Sequence, residues 1–236
     1  MSLQTERADG VLTLRLDRPA RLNAIDEPMA AALLAALRAA ETAADVRAVV
    51  LRGNGRAFCA GRDVSVPPTP EILQLVQEVS RAIVALPKPV VVAVHGWVVG
   101  AGVEWMLDAD IVVAARSTRL RLPEIGLGVF VTGGITRTLP AYAGLARAKG
   151  LLLLGEEFSA VDAERWGLVW SVVDDDRLDA ETARIAVSLA DADPAALGRF
   201  KRVLNAMNLS DFAEALSAET RMQTELEAMA ERTKPE

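Results

Sequence analysis

Two glutamates stand where a carboxylate is expensive. Glu104 lies in Gly100-Ala101-Gly102-Val103-Glu104-Trp105-Met106-Leu107, and Glu124 lies between apolar neighbours in Leu122-Pro123-Glu124-Ile125-Gly126. An acid in such a run has to be exposed, paired or put to use. Taken singly, Glu104 fits a surface position or a partner for a helix N-terminus. Taken together, the two fit a general acid/base pair, one carboxyl accepting a proton while the other supplies one. Two small-residue turns accompany them. Ala60-Gly61, before the charged pair Arg62-Asp63, and Gly100-Ala101-Gly102 both follow apolar strands and are built to present backbone amides, which attract negative charge at a helix start. Spacing alone does not bring the four features together.

The elements that must position them alternate. Val11 to Leu16 alternates as a strand, Asp26 caps a helix over Glu27 to Ala44, and Arg47 to Arg52 is a second strand. A helix over Glu71 to Leu86 stops at Pro87-Lys88-Pro89, and Val90 to Val94 is an unbroken apolar strand of the kind buried on both faces. A short helix over Gly100 to Ala109 follows, then strands at 111–115 and 119–122. Beyond Thr132-Gly133-Gly134 the pattern is helical, over 138–153, 160–167, 177–190, 194–207 and 211–231, with one strand near 168–173. This is an α/β chain, read as a core over 1–190 and a C-terminal helical region over 191–236. Pro67-Pro68-Thr69-Pro70 reads as its most mobile loop.

Composition narrows the chemistry. In 236 residues, 51% hydrophobic, there is one cysteine, Cys59, and one histidine, His95, so neither an internal disulfide nor a His/Cys metal site can be assembled in one chain. No metal is expected. A net charge of −6 gives no footprint for nucleic acid. No long apolar span and no apolar leader segment is evident, so the expectation is a cytoplasmic protein without a membrane partner. The glycines run G-x-x-x-G-x-G from Gly96, with Trp105 where a dinucleotide fingerprint needs its third glycine.

In order and spacing, Leu16-Asp17-Arg18-Pro19-Ala20-Arg21-Leu22-Asn23-Ala24-Ile25, Ala57 to Val64, Pro87 to Ile111, Leu122 to Gly128, Gly144 to Val169 and the closing Glu231 to Glu236 resemble the crotonase, or enoyl-CoA hydratase/isomerase, superfamily over nearly the whole chain. The resemblance implies a spiral of ββα units with a C-terminal helical oligomerisation region, and assembly as a homotrimer or a dimer of trimers. It implies that the amides of Arg62 and Ala101 bind a thioester oxygen as an oxyanion hole, a job for preorganised donors that explains why small residues surround them. It further implies that Glu104 and Glu124 are the catalytic acids of a hydratase, adding water across C2=C3 of a 2-enoyl-CoA, and that their titrations are coupled. Coenzyme A then belongs to the substrate, and no separate cofactor is needed.

By the same resemblance, CoA contacts fall on Arg21, Leu22, Ala60 and Arg62, with Lys201 or Lys234 assisting; a solvated Arg62 side chain is the competing reading. The acyl pocket falls on Trp97, Trp105, Phe130 and Thr132, with a packed core indole as the alternative for Trp105. The chain departs from common hydratases at Val131-Thr132-Gly133-Gly134-Ile135, where the amide expected to help hold the water belongs to β-branched Thr132. Three alternatives remain open. A Δ3,Δ2-enoyl-CoA isomerase would shuttle a proton through Glu124. A serine hydrolase on the related Clp-protease fold would need His95 as base, without the Gly-x-Ser-x-Gly elbow. A non-catalytic acyl-CoA-binding homologue would need neither acid. Cys59 reads as a buried small hydrophobe and His95 as a structural residue.

Overall fold

The strand at the centre is the one the sequence marks most clearly. The computed structural model describes residues 2–66 and 69–232, and in it all five residues of Val90–Val94 are buried. In chain order the strands are β1 (Leu3–Ala8), β2 (Val11–Leu16), β3 (Ala48–Gly53), β4 (Val90–Val94), β5 (Trp97–Val99), β6 (Ile111–Ala115), β7 (Arg119–Arg121), β8 (Glu157–Ser159) and β9 (Ser171–Val173). Six form one sheet in the order β1-β2-β3-β4-β6-β9, parallel except for the β1–β2 pair. The other three form a small sheet, β5-β7-β8.

The helices are α1 (Glu27–Thr42), α2 (Pro70–Ala85), α3 (Ala101–Leu107), α4 (Glu124–Leu127), α5 (Ile135–Ala143), α6 (Leu145–Leu154), α7 (Ala160–Arg165), α8 (Leu178–Asp191), α9 (Pro194–Asn208) and α10 (Phe212–Arg232). Their placement follows from strand alternation. Val49, Leu51, Val92 and Val94 face a core shared with Leu33 and Leu37 of α1 and Val76 and Val79 of α2. Val50, Val91 and Ala93 face Leu178, Ile185 and Ala186 of α8 on the opposite side. The Asp26 carboxylate caps α1 through the Met29 amide at 2.9 Å, and Thr69 caps α2 through Ile72. Pro67 and Pro68 lie outside the described residues, as do Lys234 and the end of the closing motif.

The helix read as one element over 138–153 is two, because Gly144 adopts φ 79°, ψ 153° and turns the chain between α5 and α6. Strands β1, β5 and β8 and the one-turn helix α4 are additions to the sequence reading. Residue 191 ends α8, and the α9 and α10 that follow are tied to what precedes them. Lys201 of α9 is buried and donates to Ile83 O at 3.0 Å, Lys88 O at 3.3 Å and Asp110 Oδ2 at 2.7 Å. Those bonds commit the ammonium group to the start of β4, so Lys201 is a structural brace and the expectation that it reaches a CoA phosphate is corrected.

Candidate functional site

The parallel strands β3 and β4 deliver the two amide turns to one place. After β3 the chain forms isolated bridges from Cys59 to Val98 of β5 and from Arg62 to Ile25. In the second bridge Gly61 O accepts from Ile25 N and Ile25 O accepts from Asp63 N, so the Arg62 N–H points away from Ile25. Gly61 has φ +82°, and a Cβ there would meet Val99 O at 2.8 Å and Ala101 N at 3.6 Å. Only glycine permits that approach. Ala101 is the first residue of α3, so its N–H has no partner within the helix. Arg62 and Ala101 line one cleft.

A polar girdle stiffens this turn. Asn23, fully buried with φ 56°, accepts from Arg18 N at 2.8 Å and donates to Asn54 O at 2.9 Å, Ala57 O at 2.8 Å and Phe58 O at 3.2 Å. Asp63 accepts from Ser65 and from both terminal nitrogens of Arg18, and these donors hold its carboxyl down at about 2. Asn23→Ala removes one acceptor and strands several buried backbone groups. It is expected to cost about 3 kcal/mol, read as a lowered thermal unfolding midpoint by circular dichroism.

Both glutamates line the same cleft. Glu104, buried on α3, accepts from Thr132 N at 3.0 Å. Burial pushes its carboxyl well above the usual range, and the nearby charges of Glu219 and Glu124 add to the shift. Glu124 opens α4; its Oε1 lies 2.6 Å from where a Gly100 Cβ would stand, and its buried Oε2 has no hydrogen-bond partner. Burial lifts the Glu124 carboxyl to about 7.

The remaining predicted residues divide. Phe130 and Thr132 line the cleft, as do Ala60 and Arg62. Leu22, at φ 51°, accepts from Ala60 N at 3.0 Å, which sets the 20–22 bend against the amide turn, and Arg21 is exposed on that bend. The Arg62 guanidinium is half-buried and donates to Asp63 O and Val66 O, bracing its own loop. Trp105 is a correction: it is fully buried and donates to Val76 O at 3.3 Å. Successive helical residues point about 100° apart, so with Glu104 turned to the cleft its neighbour enters the α2–α3 contact. Trp97 is a second correction. Its exposed side chain leaves β5 beside the inward-facing Val98 and lines no part of the cleft. A third concerns Thr132, whose amide is committed to Glu104 and so holds the acid instead of a water.

His95 is hydrogen-bonded to Gly55 O at 2.9 Å and stands outside the cleft, where it can serve no nucleophile there. Cys59 is fully buried, and burial pushes its thiol up to about 12. Among the described residues, no group of three His, Cys, Asp or Glu side chains is arranged to hold a metal, and no helix is long and apolar enough to cross a membrane.

The sequence reading missed the contribution of α10. Gln223 lines the cleft and accepts from Phe130 N at 2.6 Å, and Glu219 accepts from Gly134 N and Thr136 N. A signal was present: Phe212, Leu216, Glu219 and Gln223 share one helical stripe, and two of the four are polar.

Two sheets, each with an antiparallel edge pair, and a cleft lined by Arg62, Ala101 and two acids belong to a crotonase-like fold. The enoyl-CoA hydratase/isomerase family model matches residues 6–235. A 1,2-epoxyphenylacetyl-CoA isomerase of Escherichia coli K12 is 38% identical over 89% of this chain and 84% of its own length. A 2,3-dehydroadipyl-CoA hydratase of the same organism is 32% identical over 98% and 92%. The crystal structure of an enoyl-CoA hydratase from Mycobacterium avium subsp. paratuberculosis superposes with a TM-score of 0.91 at 31% identity, covering 96% of this chain and 90% of that one. The chain belongs to the enoyl-CoA hydratase/isomerase family.

Proposed function

We propose that the protein is an enoyl-CoA hydratase. The observation that carries the reading is that one cleft is lined by buried Glu104 and half-buried Glu124 together with Arg62 and Ala101. The thioester oxygen sits between the Arg62 and Ala101 N–H groups. Glu104, its carboxylate held by Thr132, takes a proton from water as the water oxygen bonds to C3. The electron pair of the C2=C3 bond moves toward the thioester oxygen, and Glu124 gives its proton to C2. The pair then exchanges its proton to reset. CoA lies along Leu22 and Ala60 with Arg21 near its phosphates, and no other cofactor takes part. Exposed Phe200, Val203, Leu204 and Met207 on α9 favour assembly with further copies.

The second reading is an isomerase, favoured by the isomerase name of the 38% identical relative. Loss of the absorbance of crotonyl-CoA and of aromatic enoyl-CoAs tests hydration directly; double-bond migration without water addition would replace it with isomerisation. The pH profile offers a further check. Glu124 must carry a proton to deliver it, and its carboxyl titrates at about 7. Hydration is therefore expected to decline as pH rises through about 7, and to decline at the acid end as well, because Glu104 must be ionised to take a proton from water and burial raises its carboxyl; initial rates from about pH 5.5 to 9 read both limbs. A rate constant across that range would count against Glu124 as the donor.

A further inference from the structure

We propose that Glu219 is a positioning residue for the acid pair: from α10 it fixes the turn that holds Glu104, and so sets the place of that acid. The inference rests on the hydratase reading of the cleft and adds a third carboxylate to it. The geometry is specific. Glu219 is 1% exposed, and its two oxygens accept from Gly134 N at 2.7 Å, Thr136 N at 2.9 Å and Thr136 Oγ1 at 2.6 Å.

Those donors open α5, whose unpaired amides favour a negative charge. One helical turn further on, Gln223 accepts from Phe130 N. The segment 130–136 is thus held from α10 at both ends, and between them Thr132 N binds Glu104 while Gly133 packs against its carboxylate. A slack segment would displace Glu104, and an ångström of misplacement costs about a hundredfold in rate.

Charge is the second route. The Glu104 carboxyl is faced by Glu219 from α10 and Glu124 from α4, and Asp108 stands one turn along its own helix. Burial raises the Glu219 carboxyl as well, against the pull of its Thr136 and Gly134 donors; where it is ionised, removing its charge lowers the pH at which Glu104 ionises. A merely structural cap would not do this.

The test is Glu219→Gln, which keeps the shape and removes the charge. Three results are expected: the NMR titration midpoint of the 13C-labelled Glu104 carboxyl falls, hydrogen exchange at the Gly134 amide accelerates, and kcat falls about tenfold with KM little changed. An unchanged midpoint together with an unchanged kcat overturns the proposal, whatever the exchange rate. If Glu219→Gln does not fold, Thr136→Val removes one bond and leaves the charge; a severalfold lower kcat at constant KM supports the proposal, and an unaltered kcat overturns it. Should the wild-type protein hydrate no enoyl-CoA, the functional reading fails while the titration still decides the role of Glu219.

Discussion

Glu104→Gln is expected to lower kcat for hydration by about 10³-fold while leaving KM within a small factor, within the range that a positioned general base contributes. The amide keeps an oxygen for the Thr132 N–H, so the segment around it stays in place. What is lost is the ability to take a proton from water. Glu124, left alone, can still move a proton between carbons, so double-bond migration should survive the substitution. Steady-state hydration and migration assays on the same preparation separate the two. If both activities survive, Glu104 is not the base; if both vanish with the fold intact, the two acids act only as a unit.

Gly61→Ala should be nearly as damaging, for a backbone reason. At φ +82° an alanine is strained, and its methyl group would lie 2.8 Å from Val99 O. Relief requires the Arg62 amide and the start of α3 to separate. Loss of one such donor costs about 10²- to 10³-fold in kcat. The Raman carbonyl frequency of a bound, unreactive acyl-CoA gives an independent reading, because a thioester oxygen that has lost a donor is less polarised. Normal polarisation with normal kcat would show that the two amides do not act on one oxygen.

How much of this was legible depended on distance along the chain. The two turns were readable because glycine requirements are local: Gly61 and Gly100 declare themselves by their neighbours. The glutamates were readable because a carboxylate beside Val103 or Ile125 needs a reason. Their meeting came from family resemblance, not from spacing. Trp105 misled because adjacency in sequence is not adjacency in space on a helix. The break at Gly144 was hidden by apolar residues that keep a helical period on both sides of it. Glu219 and Gln223 escaped because their partners lie 85 and 93 residues away, and a polar residue on an amphipathic helix raises no alarm alone.

Those long separations bear on the order in which the molecule is made. During synthesis the sheet strands β2, β3 and β4 and both amide turns emerge early and can pair at once, whereas the segment that steadies Glu104 waits for residues 219 and 223. A nascent chain would hold the Arg62 and Ala101 wall of the cleft well before the bonds that fix the segment beside Glu104. The geometry around Glu104 is therefore completed only once α10 has been made.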